Sequence, residues 1–285
     1  MLSLMLGLTA ALSWGVHDFT VRYVSQRSRI LPLILVVMIC GAVLLAVPAL
    51  VLGDWGRMPA KAWGFAFASG VAYALGALGL YQAFAIGPVR LVAPITGSYP
   101  VLSLAWAAIG GAPTHLGQWL AVGAILAGIG AVAAWAAEDN SADATPPPRR
   151  LEAMAWATMG AAGFAATFAL GHIGTEAGSE LPVLLVARMA SVLSIAALML
   201  ATRTPPTLHR PHLRLLVLMG LLDIVALGLV LAAGNLPNPA YAAVASSVFG
   251  IITILLAWRF LREPIARLQW GGIALVFAGI AYLAL

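Results

Sequence analysis

Four ionisable side chains stand inside long apolar runs of the sequence: His17, Asp18, Arg188 and Asp223. A charge placed in hydrocarbon costs roughly 2.5–3.5 kcal/mol on insertion scales, so each needs a partner or a task. Asp223 lies about ten residues into its run, roughly 15 Å from one end at the helical rise. Arg188 enters from the opposite end of the preceding run and lies about six residues in, roughly 9 Å deep. In a layer about 30 Å thick, their depths differ by about 6 Å, within reach of an extended arginine. Two chemistries fit. Either the two form a structural ion pair between adjacent helices, or Asp223 is a proton or cation site and Arg188 anchors a substrate carboxylate. Asp18 and Arg22 are four residues apart, so they are expected to pair along one helix face, with gating or proton relay through His17 and Asp18 as the alternative. His172 and Glu176 fall at the end of a run, where solvation is expected.

A second group of candidates interrupts the apolar runs without charge. One run reads Pro94, Ile95, Thr96, Gly97, Ser98, Tyr99, Pro100, and another reads Ala245, Ser246, Ser247, Val248, Phe249, Gly250. Each proline removes a backbone donor and frees a carbonyl, which is tolerated in lipid mainly beside a cavity. Thr96, Ser98, Tyr99, Ser246 and Ser247 are therefore candidate substrate contacts, against the alternative that small residues only permit tight helix packing. Tyr73 and Tyr81 are eight apart, about 80° around a helix, and with Trp14, Phe164 and Phe168 they are candidates for an aromatic wall. Trp55, Trp63 and Trp156 stand near run ends, where aromatic belts form.

The elements that must position these residues follow from composition. The chain has 285 residues, 62% hydrophobic and only 9% charged. Soluble domains carry roughly 25% charge, and so apolar a chain cannot cover a water-facing surface. Its net charge of +5 comes from scattered Lys and Arg, which disfavours nucleic-acid binding. The single cysteine, Cys40, forbids an intrachain disulfide, and no Cys/His spacing suits a metal. An all-α integral membrane protein is expected, with ten spans near 2–23, 30–52, 62–86, 89–110, 116–137, 151–173, 182–201, 213–234, 239–260 and 267–285. The first run has no basic residue before it, so it reads as a retained span and not a secretory signal.

The polar stretch 138–150, with three consecutive prolines, separates five spans from five. It is expected to be a linker between units 1–137 and 151–285. Basic residues crowd alternate loops: Arg22, Arg27, Arg29, Arg90, Arg149, Arg150, Arg203, Arg210, Arg214, Arg259, Arg262 and Arg267 against Arg57 and Lys61. That bias places the linker in the cytoplasm and both termini outside it. An offset of 151 aligns Pro88 with Pro239, Pro113 with Pro264, Gln118 with Gln269 and Trp119 with Trp270. On the same offset Asp223 meets Ala72 and Arg188 meets Val37. Five spans per unit is odd, so the second copy enters the membrane from the opposite side. Inverted repeats around a midplane site are a common transporter architecture.

The segment LREPIARLQWGGIALVFAGIAYL, Leu261 to Leu283, resembles the end of a half in the EamA-type branch of the drug/metabolite transporter superfamily. Glu263-Pro264, Gln269, Gly271, Gly272 and Gly279 stand where that pattern has them. The first-half counterpart keeps Pro113, Gln118 and Gly128 but carries Ala112 where Glu is usual. The resemblance implies ten helices as two inverted five-helix repeats and transport of amino acids, metabolites or drugs. With no Walker sequence, a secondary transporter of small organic solutes is expected, by preference an exporter of amino acids or related metabolites, driven by protons, cations or exchange. It needs no cofactor, sits in a bacterial-type inner membrane, and works as a monomer or homodimer. The alternative, a membrane enzyme acting on lipid or isoprenoid substrates, lacks the clustered acids and phosphate binders it requires.

Overall fold

The computed structural model describes residues 1–26, 28–111, 113–137, 147–207, 212–234, 236 and 240–285. These residues form helices α1 Leu2–Ser25, α2 Ile30–Leu52, α3 Ala60–Ile86, α4 Val89–Gly97, α5 Tyr99–Ile109 and α6 Leu116–Ala137. They continue as α7 Pro147–Ala177, α8 Glu180–Ala201, α9 Leu213–Gly234, α10 Ala240–Ser247, α11 Phe249–Leu256 and α12 Arg267–Leu283, with no strand among the described residues. Seven stretches are long and apolar enough to cross a membrane unaided: α2, α3, α6, α7, α8, α9 and the run Val244–Leu261. The other three expected spans fall short for separate reasons. Helix α1 carries His17, Asp18 and several hydroxyls, α4–α5 is broken at Ser98, and α12 has only 17 residues. Of the expected linker, residues 138–146 lie outside the described residues, as do Arg27, Ala112, Arg210 and Pro239. Helix α7 starts at Pro147, in the first turn, where a missing N–H costs nothing.

The two interrupted runs break in the same way. Ser98 has φ −80° and ψ 10°, and Val248 has φ −82° and ψ 4°. In each, the amide three residues on donates to the carbonyl at the break: Val101 N to Ser98 O, and Ile251 N to Val248 O, both 2.9 Å. The breaks are 150 positions apart, whereas Pro113 and Pro264, and Gln118 and Gln269, are 151 apart. A π-helical turn at Ala257–Leu261 lies between break and proline in the second half only. Such a turn accommodates one extra residue, which fits an offset of 150 at the breaks and 151 at Pro113/Pro264 and Gln118/Gln269. At the offset of 150 between the breaks, Asp223 falls opposite Tyr73.

The matched glutamines have a local cause. Gln118 Oε1 accepts the His115 amide at 3.1 Å, and Gln269 Oε1 accepts the Ala266 amide at 2.9 Å. Each is the third residue of its helix reaching back to the residue that precedes it, which satisfies an otherwise orphaned donor.

Small residues let the helices touch. A Cβ on Gly163 of α7 would lie 2.5 Å from the Cα of Gly76 on α3, so only backbone fits there. On α6 and α12 the relation is reciprocal: a Cβ on Gly128 would meet Gly272 O at 2.7 Å, and one on Gly272 would meet Gly128 O at 2.9 Å. Helix α1 packs on α9, α10 and α11, while α7 packs on α3, α4 and α5. Helix α2 packs on α8 and α9, α8 on α2 and α3, and α6 on α12. Large apolar side chains such as Val47, Leu50 and Leu200 point outward, as a lipid-facing surface requires.

Candidate functional site

Three residues four apart on α1, Trp14, Asp18 and Arg22, lie along one side of the helix and face three different polar assemblies. The deepest is centred on Asp223 of α9. Its carboxylate accepts from Arg188 Nη2 of α8 at 2.6 Å, Tyr73 Oη of α3 at 3.1 Å and Trp14 Nε1 of α1 at 3.2 Å. The Arg188 guanidinium lies over the Tyr73 ring, 4.4 Å from its centroid, a cation–π contact. Asp223 is 7% exposed and Arg188 8%. Four helices thus supply a buried ion pair with donors on both carboxylate oxygens, the condition under which such a pair is tolerated away from water. The expected reach of Arg188 to Asp223 is met.

One turn along α1, His17 Nδ1 and Asp18 Oδ1 are 2.9 Å apart, and both residues are buried. With Asp18 ionised, Nδ1 must carry the proton, since a carboxylate only accepts. The Tyr81 ring of α3 stands edge-on to the His17 ring, centroids 6.5 Å apart. The Tyr81 hydroxyl is buried with no hydrogen-bond partner, a situation costing about 1–3 kcal/mol. The Thr96 hydroxyl on α4 is in the same state.

The expected Asp18–Arg22 pair is not formed. Arg22 turns instead to Glu263, in the segment after the π turn, with Nε donating to Oε1 at 2.8 Å. Its Nη1 donates to Phe84 O at 2.5 Å, near the carboxyl end of α3. Glu263 Oε2 accepts the Val89 amide at 2.7 Å, the first amide of α4, and Arg90 Nη1 donates to Pro264 O at 2.6 Å. The physical reason is competition. Asp18 is served by the adjacent imidazole, while Glu263 offers Arg22 a full charge, a second oxygen already oriented by a helix N-terminus, and a free carbonyl beside it. This assembly was missed in the sequence because its members are 241 positions apart. Glu263-Pro264 was the only signal of it.

At the broken helices, Ser98 Oγ donates to Ile95 O and Ser247 Oγ to Val244 O, each at 2.7 Å. These hydroxyls satisfy carbonyls loosened by the breaks. Ser246 and Ser247 are both buried. The Tyr99 ring stacks on Phe168 of α7 at 5.2 Å, Trp14 meets Phe249 edge-on at 6.1 Å, and Tyr73 meets Phe164 at 6.0 Å. Helix α4 packs against α11, so the two broken runs adjoin. Among the sequence candidates, Trp14, Tyr73, Arg188 and Asp223 share one cluster and His17, Asp18 and Tyr81 the next. Thr96, Ser98, Tyr99, Ser246 and Ser247 flank the breaks. His172 and Glu176 are 3.7 Å apart and largely exposed, as expected. A groove of about 620 Å³ lies elsewhere, on the flank of α3 and α8 between Trp55, Trp63, Phe67 and Leu193. Its lining is almost wholly apolar and includes none of the candidate residues.

The sequence matches the pattern of the EamA-like transporter family twice, over residues 1–134 and 151–285. No curated protein matches it in sequence. A solved structure, described only as the crystal structure of a protein, is similar with a TM-score of 0.66 and 14% identity, covering 98% of this chain and 95% of that one. At that identity the likeness speaks for the fold alone.

Proposed function

The chain belongs to the EamA-like transporter family of membrane transporters of small solutes, and from that premise we propose a secondary transporter that exports amino acids or related metabolites by alternating access. The working units are residues 1–137 and 151–285, two inverted five-helix repeats joined by a linker at 138–150. The observation carrying this reading is the pair of breaks at Ser98 and Val248, which share dihedral angles and hydrogen bonding 150 positions apart. Broken helices in corresponding places are where such folds hold their cargo. The packing supports it too: exchanging α1 with α7, α3 with α9, and α2 with α8 maps each main helix contact onto another.

In this reading Trp14, Tyr73, Tyr81, Thr96, Ser98, Tyr99, Arg188, Ser246 and Ser247 surround the cargo, and His17, Asp18 and Asp223 couple or gate its passage. The Arg22–Glu263 assembly ties shut the end that the basic-residue bias assigns to the cytoplasm. The corresponding positions at the other end are His172 and Ala112, which cannot form that tie. Both termini then lie outside the cytoplasm of an inner or plasma membrane.

Counterflow of radiolabelled amino acids in liposomes holding the purified protein tests the proposal. Saturable exchange is expected for the wild type. Ser98→Leu and Ser247→Leu, placed at the breaks, should each reduce it at least tenfold while the protein still reaches the membrane. Normal exchange by both variants removes the site from these helices.

A further inference from the structure

The groove on the flank of α3 and α8 has a direction. At its head stand Trp55 and Trp63, ring centroids 6.1 Å apart, and its walls continue through Phe67 on α3 and Met189 and Leu193 on α8. Paired indoles mark the level where hydrocarbon meets headgroups. From Leu185 to Leu193 the groove follows α8 for about 12 Å at the helical rise. That is close to one leaflet's share of a core about 30 Å thick. A smaller hollow of about 210 Å³ follows on the same two helices, between Leu75 and Leu78 of α3 and Ile195 and Leu198 of α8.

The groove opens at a glycine: a Cβ on Gly64 would meet no atom within 4 Å. Deeper in, the helices close up. A Cβ on Gly70 would collide with Ala187 O and lie 2.7 Å from that of Ala190. The same contact recurs at the 150-residue spacing, where a Cβ on Gly220 of α9 would meet Val37 O and Cys40 Cβ of α2. At that spacing Arg214 stands where α3 has Gly64, and Leu213 where it has Trp63. The open wall and the indole are therefore particular to the α3–α8 flank.

At the head of the groove the charges are sorted. Lys61 is three residues before Gly64 and shares its side of α3, and Arg57 ends the short turn Trp55–Arg57. Both are exposed, and neither has an ion-pair partner among the described residues. Two carboxylates stand at the same end. Glu180 is nine residues from Met189, half a turn out of register on α8. Asp54 Oδ1 lies over Gly56, 3.4 Å from where its Cβ would be.

We propose that this groove is a phospholipid site, with one acyl chain lying along α8 and the phosphate at Lys61 and Arg57, level with the two indoles. Charge and depth choose the occupant. A phospholipid supplies an anion and an apolar chain at the separation the groove requires. A helix from a second copy, about 10–12 Å across, brings no phosphate to Lys61 and Arg57. The site is distinct from the cargo residues but lies directly behind them. Met189 and Ala190 line the groove, while Arg188 between α8 and the interior turns to Asp223. A bound chain thus braces α3 against α8, the helices that supply Tyr73 and Arg188 to the central cluster.

The test uses the full-length protein in detergent and a phosphatidylglycerol carrying a photoreactive diazirine in one acyl chain. Labelling should saturate near one lipid per protein and fall on Phe67, Met189 and Leu193, located by mass spectrometry of peptides. Unlabelled phosphatidylglycerol should compete at least tenfold better than the diacylglycerol with the same chains. Gly64→Leu, which grows into the groove, should reduce labelling at least fivefold. Gly123→Leu, at another open position on α6, should not. Leu193→Trp fills the groove from α8 and takes the place of Gly64→Leu if thermal melts show that variant to be unfolded. Arg57→Gln combined with Lys61→Gln should remove most of the advantage of the phospholipid over the diacylglycerol. Labelling spread evenly over the lipid-facing helices, or unchanged by filling the groove, overturns the site. Equal competition by the diacylglycerol overturns the phosphate seat. A groove protected from label in crosslinked dimers gives it to a second copy and overturns the lipid.

Discussion

The Arg188–Asp223 pair and the Arg22–Glu263 pair have similar chemistry and nearly equal burial, yet they are completed by different kinds of partner. Around Asp223 the remaining bonds come from side chains, the Trp14 indole and the Tyr73 phenol, all inside the helical interior. Around Arg22 and Glu263 they come from main-chain groups at helix ends, Phe84 O and the Val89 amide. Groups at helix ends can exchange a protein partner for water when that end of the bundle opens. Side-chain donors in the middle of the bundle have no such substitute. The second pair is therefore the easier of the two to open to water, and the first the costlier to separate. Burial alone does not set how readily an ion pair can be opened; the kind of partner that completes it does.

The largest effect should come from breaking the central pair. Asp223→Asn leaves Arg188 buried without a counter-charge, which costs about 3–5 kcal/mol. Poor expression or a much lowered melting temperature in detergent is expected, with partial recovery when Arg188→Gln is added. A stable single variant with full transport would contradict the structural role of this pair.

Glu263→Gln should cost less, about 1–2 kcal/mol, because one amide bond survives and water can replace the rest. Its signature is opening, not unfolding. A cysteine at Val21, which is fully buried, placed in a Cys40→Ala background, should react several-fold faster with a membrane-impermeant maleimide supplied at the end that Arg22 and Glu263 close, once Glu263 is changed. Equal labelling rates would mean that the assembly only staples the fold.

The smallest effect is expected at Tyr81, which lies between the two pairs along α3. Tyr81→Phe removes a hydroxyl that has no partner, so stability should change by less than about 1 kcal/mol, toward greater stability. Transport should nevertheless fall several-fold if this hydroxyl meets the cargo. A loss of stability without a loss of transport would assign the hydroxyl a structural partner instead.

Much of this was legible in the residues, for reasons that are local. Run length and scarcity of charge mark membrane helices because lipid accepts little else. Gln118 and Gln269 match because a glutamine at the third helical position caps its own helix, within four residues of chain. Pro94 and Pro100 announce the break at Ser98, since each withholds a backbone donor. The reach of Arg188 to Asp223 followed from depth alone, because both residues are set by helical rise within a layer of known thickness.

What escaped was non-local. No proline marks the break at Val248. There Gly250 makes room for the Phe277 ring, an approach that exists only once α12 has packed. The difference between the 150-residue spacing of the breaks and the 151-residue spacing of Gln118 and Gln269 was hidden because a π turn adds a residue without changing composition. Most telling is Arg22: its spacing from Asp18 permits a pair, but spacing states only which contacts a helix allows. The choice of Glu263 depended on a carboxylate arriving from a segment 241 residues away, already fixed by the amide of Val89. Helical geometry and solvent preference are written into neighbouring residues. The selection among competing partners is made by whichever groups the tertiary fold brings within bonding distance and already oriented, and that information belongs to no single segment of the chain.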